Sequence, residues 1–193
     1  MPNIAKYDRE EVIHKAMLLF WRQGYRATST RDLQQAVNMR PGSIYAAFGS
    51  KEALYAETLQ HYRQQMRHLL QQCLAKQPRK LDGLRAYFER VLFDPEIVGG
   101  DSICMLVKTL SELNEDQALL RETAEKALRQ TELLFSEIVE QAQRLGELSD
   151  QLDPRRVARG LQVQFIGLRS YLKSTGDRDA VMQLLDDAFA PLR

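Results

Sequence analysis

A chain of 193 residues that is 44% hydrophobic and 27% charged holds enough apolar material for one sizeable domain or two small ones. Its two cysteines cannot build a disulfide framework, and its apolar runs fall short of a membrane span of roughly 20 residues. The opening stretch MPNIAKYDREE has no apolar signal core, so a cytoplasmic protein is predicted. Net charge is +1, with eight Lys/Arg against six Asp/Glu in residues 1–60 and nineteen against twenty beyond. Scattered solvated charge explains so small an asymmetry equally well, so position rather than total must identify a partner.

Asp8 and Glu11 have the spacing of a capping box, and Val12, Ile13, Ala16, Met17, Leu19 and Phe20 follow at helical spacing until Gly24. Ser29 with Asp32 opens a second helix over about Thr30–Val37, too short to stand without packing. Asn38 and Met39 make a turn. Pro41 then fits a first helical position, Gly49 stops that third helix at Phe48, and Ser50 caps a long fourth helix over Lys51–Lys76. After Pro78 the pattern predicts helices over Leu81–Phe93, Ile103–Leu113, Asn114–Glu147, Pro154–Ser174 and Asp177–Phe189, with Asp94–Ser102 the main loop. The chain is therefore expected to be all-α.

Two short helices joined by a brief turn form a helix-turn-helix, whose second helix enters the DNA major groove. The segment GYRATSTRDLQQAVNMRPGSIYAAFGSKEALY, Gly24–Tyr55, resembles the DNA-binding domain of the tetracycline-repressor (TetR) family. The matching residues are Gly24-Tyr25, Thr28-Ser29, Asp32-Leu33, Ala36, Gly42, Ile44-Tyr45, Phe48, Lys51-Glu52 and Leu54, with Ala16 and Leu19-Phe20 upstream. Asn38-Met39-Arg40 departs from the family's frequent Gly-Val-Ser, and Ala47 stands where an aromatic or histidine is frequent. Both departures touch the reading face, so they predict a different operator with the same binding mode.

The resemblance implies an N-terminal three-helix DNA-binding domain over 1–55, joined by the fourth helix to a helical ligand-sensing and dimerisation domain over 56–193. Thr28 and Ser29 at one helix start and Lys51 at another suit phosphate. Gly42 allows close backbone approach, and Tyr45 donates its hydroxyl to a phosphate or packs as an aromatic. Arg40, Pro41, Ser43 and Ala46 face the groove. Arg40 takes a guanine or only a phosphate, and Ala46 meets a thymine methyl. The implied partner is double-stranded DNA with a near-palindromic operator, bound by a homodimer that forms through about 154–174 and 177–189.

The larger half carries no catalytic motif and implies no cofactor. Glu11–His14 is a single Glu-x-x-His pair, and His61 with His68 lacks a completing carboxylate, so a metal enzyme is not expected. CMLVK, Cys104–Lys108, and GLRSYLK, Gly167–Lys173, resemble the branch of N-ethylmaleimide-responsive repressors, which senses electrophiles and oxidants through a cysteine. In that reading Lys108 and Lys173 favour the Cys104 thiolate. In the alternative, Cys104 is a small buried hydrophobe. A second alternative is a non-reactive apolar effector held by Tyr87, Phe88, Phe93, Met105, Phe165 and Tyr171. A third is a helical interaction module that binds no DNA.

Overall fold

The computed structural model describes residues 8–97, 101 and 103–192. Val98, Gly99, Gly100 and Ser102 of the expected loop lie outside the described residues. The described chain is helical: α1 (Arg9–Gln23), α2 (Thr30–Val37), α3 (Pro41–Phe48), α4 (Lys51–Lys76), α5 (Lys80–Phe93), α6 (Met105–Glu112), α7 (Ala118–Arg144), α8 (Pro154–Thr175) and α9 (Arg178–Phe189). Short 3-10 turns lie at Glu115–Gln117 and Ala190–Leu192. The chain divides into two compact units, Met1–Gln64 with Met105–Ala124, and Gln65–Cys104 with Glu125–Arg193. Both α4 and α7 contribute to each unit. The first unit, which holds the helix-turn-helix, takes in all of α6 and is larger than the segment 1–55.

In the first unit, Asp8 caps α1 by accepting from the N–H groups of Glu10 and Glu11, while the Glu11 carboxylate pairs with Lys15 at 2.6 Å. The buried side of α1 is Val12, Ala16, Met17, Leu19, Phe20 and Trp21. Leu33 and Val37 of α2, Ile44 and Phe48 of α3, and Leu54, Tyr55, Leu59 and Tyr62 of α4 are buried in the same unit. Phe20 meets Tyr55 edge-on at 4.8 Å, and Trp21 meets Tyr62 at 5.0 Å. The Ser29–Asp32 capping box is complete. Asn38, at φ 53°, turns the chain out of α2 in the left-handed conformation that asparagine tolerates.

Gly24 ends α1 at φ 89°, and a Cβ there would lie 2.5 Å from Glu112 Oε2. The reason is a long-range cap. Glu112 accepts the backbone N–H groups of Tyr25 at 2.9 Å and Arg26 at 2.5 Å. One turn earlier on α6, Lys108 Nζ donates to the carbonyls of Trp21 and Arg22, both at 2.8 Å. These are the orphan carbonyls at the end of α1, where a cation is also favoured by the helix dipole. Between the two, Thr109 shares a buried 2.8 Å hydrogen bond with Tyr55 of α4. Burial pushes the Tyr55 hydroxyl up to about 12. Three side chains within five residues of α6 thus hold the end of α1 and the side of α4.

The second unit is built on one apolar core drawn from α4, α5, α7, α8 and α9. Phe88 stacks on Phe165 at 4.0 Å and meets Phe189 edge-on at 5.4 Å. Gly83 lets α5 close on α4, since a Cβ there would lie 2.9 Å from Leu74 Cα. The seventh helix is shorter than the expected 114–147. A 3-10 turn precedes it, and Gly146, at φ 72°, closes it with Glu147 N–H donating back to Ala142 O. The Glu147 carboxylate is then turned onto the N–H groups of Lys80 and Leu81 at the start of α5, so its side chain caps another helix instead of extending its own.

Candidate nucleic-acid interface

Ile44 and Phe48 are buried, which fixes one side of α3 against the first unit. The opposite side presents Arg40, Gly42, Ser43, Tyr45 and Ala46 to solvent, with Pro41 half-buried. Arg40 is the N-cap of α3 but makes no side-chain cap bond, and Pro41 supplies no N–H. Ser43 N–H turns back onto the Arg40 carbonyl at 2.9 Å, so the first turn presents the Gly42 N–H beside an exposed guanidinium. The helix is eight residues long, about 12 Å.

Tyr45 is 37% exposed and its hydroxyl lies 2.9 Å from that of Thr30, in the first turn of α2. Ser29, next to Thr30, is exposed. Its hydroxyl bonds the Asp32 carboxylate at 2.6 Å, and this hydrogen bond is the largest cause of a lowered Asp32 pKa. Ser50 caps α4 by accepting from Ala53 N–H at 3.0 Å. Lys51 follows, with Nζ 4.5 Å from the centre of the Tyr25 ring. Burial lowers the Lys51 pKa, against the opposing charges of Glu112 and Asp32. The starts of α2, α3 and α4 thus belong to one compact unit, each with polarised N–H groups and a polar side chain.

Thr28 departs from its expected role. It is buried, and its hydroxyl donates to Gly24 O at 2.6 Å. The side chain closes the turn between α1 and α2, which removes its hydroxyl from the phosphate-facing set. Sequence reading gave no role to Thr30, which bonds Tyr45, or to Tyr25, on which Lys51 rests. Thr30 had a local signal, lying next to a cap residue in a predicted first turn. Tyr25 stood out only as part of the family match, and no spacing rule gives its contacts, which are set by α4 and α6.

The expected sensing residues do not form one group. Tyr87, Phe88 and Phe165 meet in the second unit, where Tyr87–Phe165 centroids are 5.7 Å apart, and all three are buried in its core. Phe88 and Phe165 are in stacked contact there at 4.0 Å. Phe93 carries the Arg178 guanidinium at 4.8 Å from its ring. Tyr171 is 42% exposed on α8. Met105 is buried and belongs to the first unit with Lys108. The ammonium of Lys108, expected beside the thiol, is held by the α1 carbonyls described above. Lys173 Nζ lies 3.0 Å from Asp101 Oδ1, and the same carboxylate oxygen accepts from Ile103 N–H at 3.3 Å. Cys104 is half-buried and Cys73 is buried, and neither forms a disulfide.

The profile for "Bacterial regulatory proteins, tetR family" matches residues 12–58, and that for "Tetracyclin repressor-like, C-terminal domain" matches 78–187. The chain belongs to the tetR family. It is a DNA-binding transcriptional regulator and not an enzyme. It is 25% identical over 180 residues to the HTH-type transcriptional repressor ComR of Escherichia coli strain K12, covering 92% of this chain and 85% of that one. It superposes with TM-score 0.84 on CifR, a TetR family transcriptional regulator solved as a cysteine mutant with 26-bp double-strand operator DNA, at 26% identity and 97% coverage of both chains. The fold is also that of the reduced form of E. coli NemR, with TM-score 0.80, 21% identity and 96% coverage of both chains. Among the described residues, no helix is long and apolar enough to cross a membrane, and no cluster of three His, Cys, Asp or Glu has the arrangement of a metal site.

Proposed function

We propose that this tetR-family regulator is a cytoplasmic repressor. It acts as a homodimer joined through α8 and α9, grips a near-palindromic operator through residues of segment 1–55, and is released by a reactive electrophile or oxidant acting at Cys104. The observation that carries the DNA half is the outward side of α3, where an uncapped first turn, Arg40 and Tyr45 lie between the two polarised helix starts of Ser29-Thr30 and Lys51. The exposed Val163 on α8 and Leu184 on α9 support the pairing of those helices with a second copy.

What supports the effector reading is the place of Cys104 in the chain. The thiol is half-buried, and the next residue, Met105, begins α6. That helix holds Trp21, Arg22, Tyr25 and Arg26 through Lys108 and Glu112. A group added to the sulfur therefore acts at the first turn of the helix that fixes the end of α1. A ligand releases DNA only through its preference for the incompetent state, and a covalent adduct that disfavours the present seating of α6 has that preference. The solid packing of Tyr87, Phe88 and Phe165 weighs against a non-reactive apolar ligand lodged among them.

The decisive experiment is selection of bound duplexes from sheared genomic DNA of the source. Recovered sequences should share two half-sites spaced by about 34–36 Å or a multiple, and binding should weaken steeply with salt through counterion release. No shared sequence, or an affinity indifferent to salt, overturns the reading in favour of an interaction module.

A further inference from the structure

We infer that Arg9 is a positioning residue for operator recognition, fastening the end of the recognition helix to the two helices that support it. This inference rests on the reading that α3 faces the bases. Arg9 is the first residue of α1, and its one guanidinium reaches two other helices. Nη2 donates to both carboxylate oxygens of Glu57 on α4, at 2.6 and 2.7 Å. Nη1 donates at 3.2 Å to the carbonyl of Ala47, in the last turn of α3. The guanidinium carbon also lies 4.4 Å from the centre of the Phe48 ring, the last residue of that helix. A planar fork with five donors is suited to holding a carboxylate, a carbonyl and an aromatic face at once, and lysine is not.

The need for such a clamp follows from the size of α3. A two-turn helix does not hold its own direction, so its angle is whatever its neighbours impose. Its leading end is set by the Asn38 turn. Its trailing end is followed at once by Gly49, at φ 80°, which gives the chain freedom where α3 should be anchored. Burial of Ile44 and Phe48 fixes depth more firmly than tilt. A tilt of about 10° over this length displaces one end against the other by about 2 Å. Base-edge hydrogen bonds do not survive a shift of that size. Phosphate attraction, being long-ranged, largely does. The Arg9–Glu57 pair is itself half exposed, with side chains 47% and 32% accessible, so its share in folding is small and its effect is on direction.

The test uses the full-length protein, a duplex selected by the parent from a random-sequence pool, and an unrelated duplex of equal length. Arg9→Ala, Arg9→Lys and Glu57→Gln should each lower affinity for the selected duplex on the order of tenfold. Affinity for the unrelated duplex and the salt slope should stay at parental values, with Tm within about 3 °C of the parent. Arg40→Ala, Ser43→Ala and Ala46→Ser are measured alongside. If none of them alters the base preference, the reading of α3 fails. If one does while the Arg9 and Glu57 variants keep parental affinity for the selected duplex, only the clamp fails. Equal loss on both duplexes with a salt slope reduced by about one makes Arg9 a phosphate contact and overturns the proposal. Full rescue by Arg9→Lys overturns it too, because charge alone would then suffice. Should Arg9→Ala not fold, Glu57→Gln decides, since it keeps the arginine and loses only the ionic partner.

Discussion

The hydroxyl of Tyr45 on α3 is bound at 2.9 Å to the hydroxyl of Thr30 on α2, so the most exposed ring of the recognition helix is held by the helix before it. A ring held this way offers one further hydroxyl contact, and the backbone of a duplex is the partner that suits it. Tyr45→Phe should weaken binding to selected and unrelated duplexes alike by about fivefold, the worth of roughly one hydrogen bond of about 1 kcal/mol. Thr30→Ala should act in the same direction, more weakly. Fluorescence anisotropy on both duplexes checks this, and a loss confined to the selected duplex would make Tyr45 a base reader.

Arg40 and Lys51 should separate into reading and positioning. Arg40→Ala is expected to cost about 1–3 kcal/mol on the selected duplex and relax preference at one position. Lys51→Ala should lower affinity evenly across sequences and reduce the salt slope by about one. Base-preference profiles of the two variants decide the assignment, and an unchanged Arg40→Ala profile removes its base-reading role.

The cap that Glu112 places on the chain after α1 should show in stability. Glu112→Ala leaves the Tyr25 and Arg26 N–H groups without their acceptor, at a cost of about 1–2 kcal/mol. Gly24→Ala adds a Cβ 2.5 Å from that carboxylate at a positive φ and should destabilise at least as much. Trp21 is the single tryptophan and is buried in the same unit, so its fluorescence during urea unfolding reports that unit alone. Midpoints equal to the parent's would show that water replaces Glu112 without loss.

Local chemistry made the two short helices of the helix-turn-helix legible. The Ser29–Asp32 capping box, Pro41 and the Gly49-Ser50 pair mark α2, the start of α3 and the break before α4 in the sequence itself, and the observed bounds fall on those residues. What could not be read is what depends on distant partners. Glu112 lies 87 residues from Tyr25, and no spacing rule connects them. Nothing in the sequence singles out Arg9, because its partners lie on α3 and α4. Thr28 matched a family position yet turned inward, because its hydroxyl sits within reach of Gly24 O. Gly146 marks the end of α7 in the sequence, and the helix stops just before it at Arg144 because the glycine turns the chain at φ 72° and Glu147 goes on to cap α5. Among the expected sensing residues, the apolar ones were read correctly as apolar, but apolarity does not distinguish a filled core from a lined cavity.

A histidine pair gives the first unit a pH dependence. The rings of His14 on α1 and His61 on α4 meet edge-on at 5.6 Å. Burial, and then the charge of His14, lower the His61 pKa against the opposing pull of Glu10. A histidine whose pKa is depressed by folding binds its proton more readily when unfolded. Its contribution is therefore intact above the ordinary value of about 6.5 and is lost as pH falls below it, levelling off once the folded form also protonates. Melting followed by Trp21 fluorescence should thus show a fall between about pH 7.5 and 5.5, and His61→Gln should flatten it. An identical slope in the variant would assign the fall to carboxylates.

The effector reading makes a prediction in which the sign of charge matters. A thiolate attacks hypochlorous acid at chlorine. The sulfenyl chloride hydrolyses to sulfenic acid, so that sulfur is oxidised, chlorine leaves as chloride and the net reaction is thiolate plus HOCl to sulfenic acid plus chloride. The rate follows the thiolate fraction at Cys104. Lys173 neutralises Asp101, whose side chain is only 9% exposed and lies three residues before the thiol. Lys173→Met would remove the ammonium 3.0 Å from that carboxylate, disfavour a second negative charge three residues on and slow the reaction. Asp101→Asn would leave the ammonium uncompensated and speed it. Cys104→Ser should bind the selected duplex like the parent and no longer release it on treatment with hypochlorite or N-ethylmaleimide, while Cys73→Ser should respond like the parent. Release is followed by anisotropy, with a reductant chase that should restore binding after hypochlorite and not after the alkylating maleimide. If Cys104→Ser releases DNA as readily as the parent, the thiol is packing only. If Lys173→Met and Asp101→Asn shift the rate in the same direction, the charge argument fails even where the cysteine assignment stands.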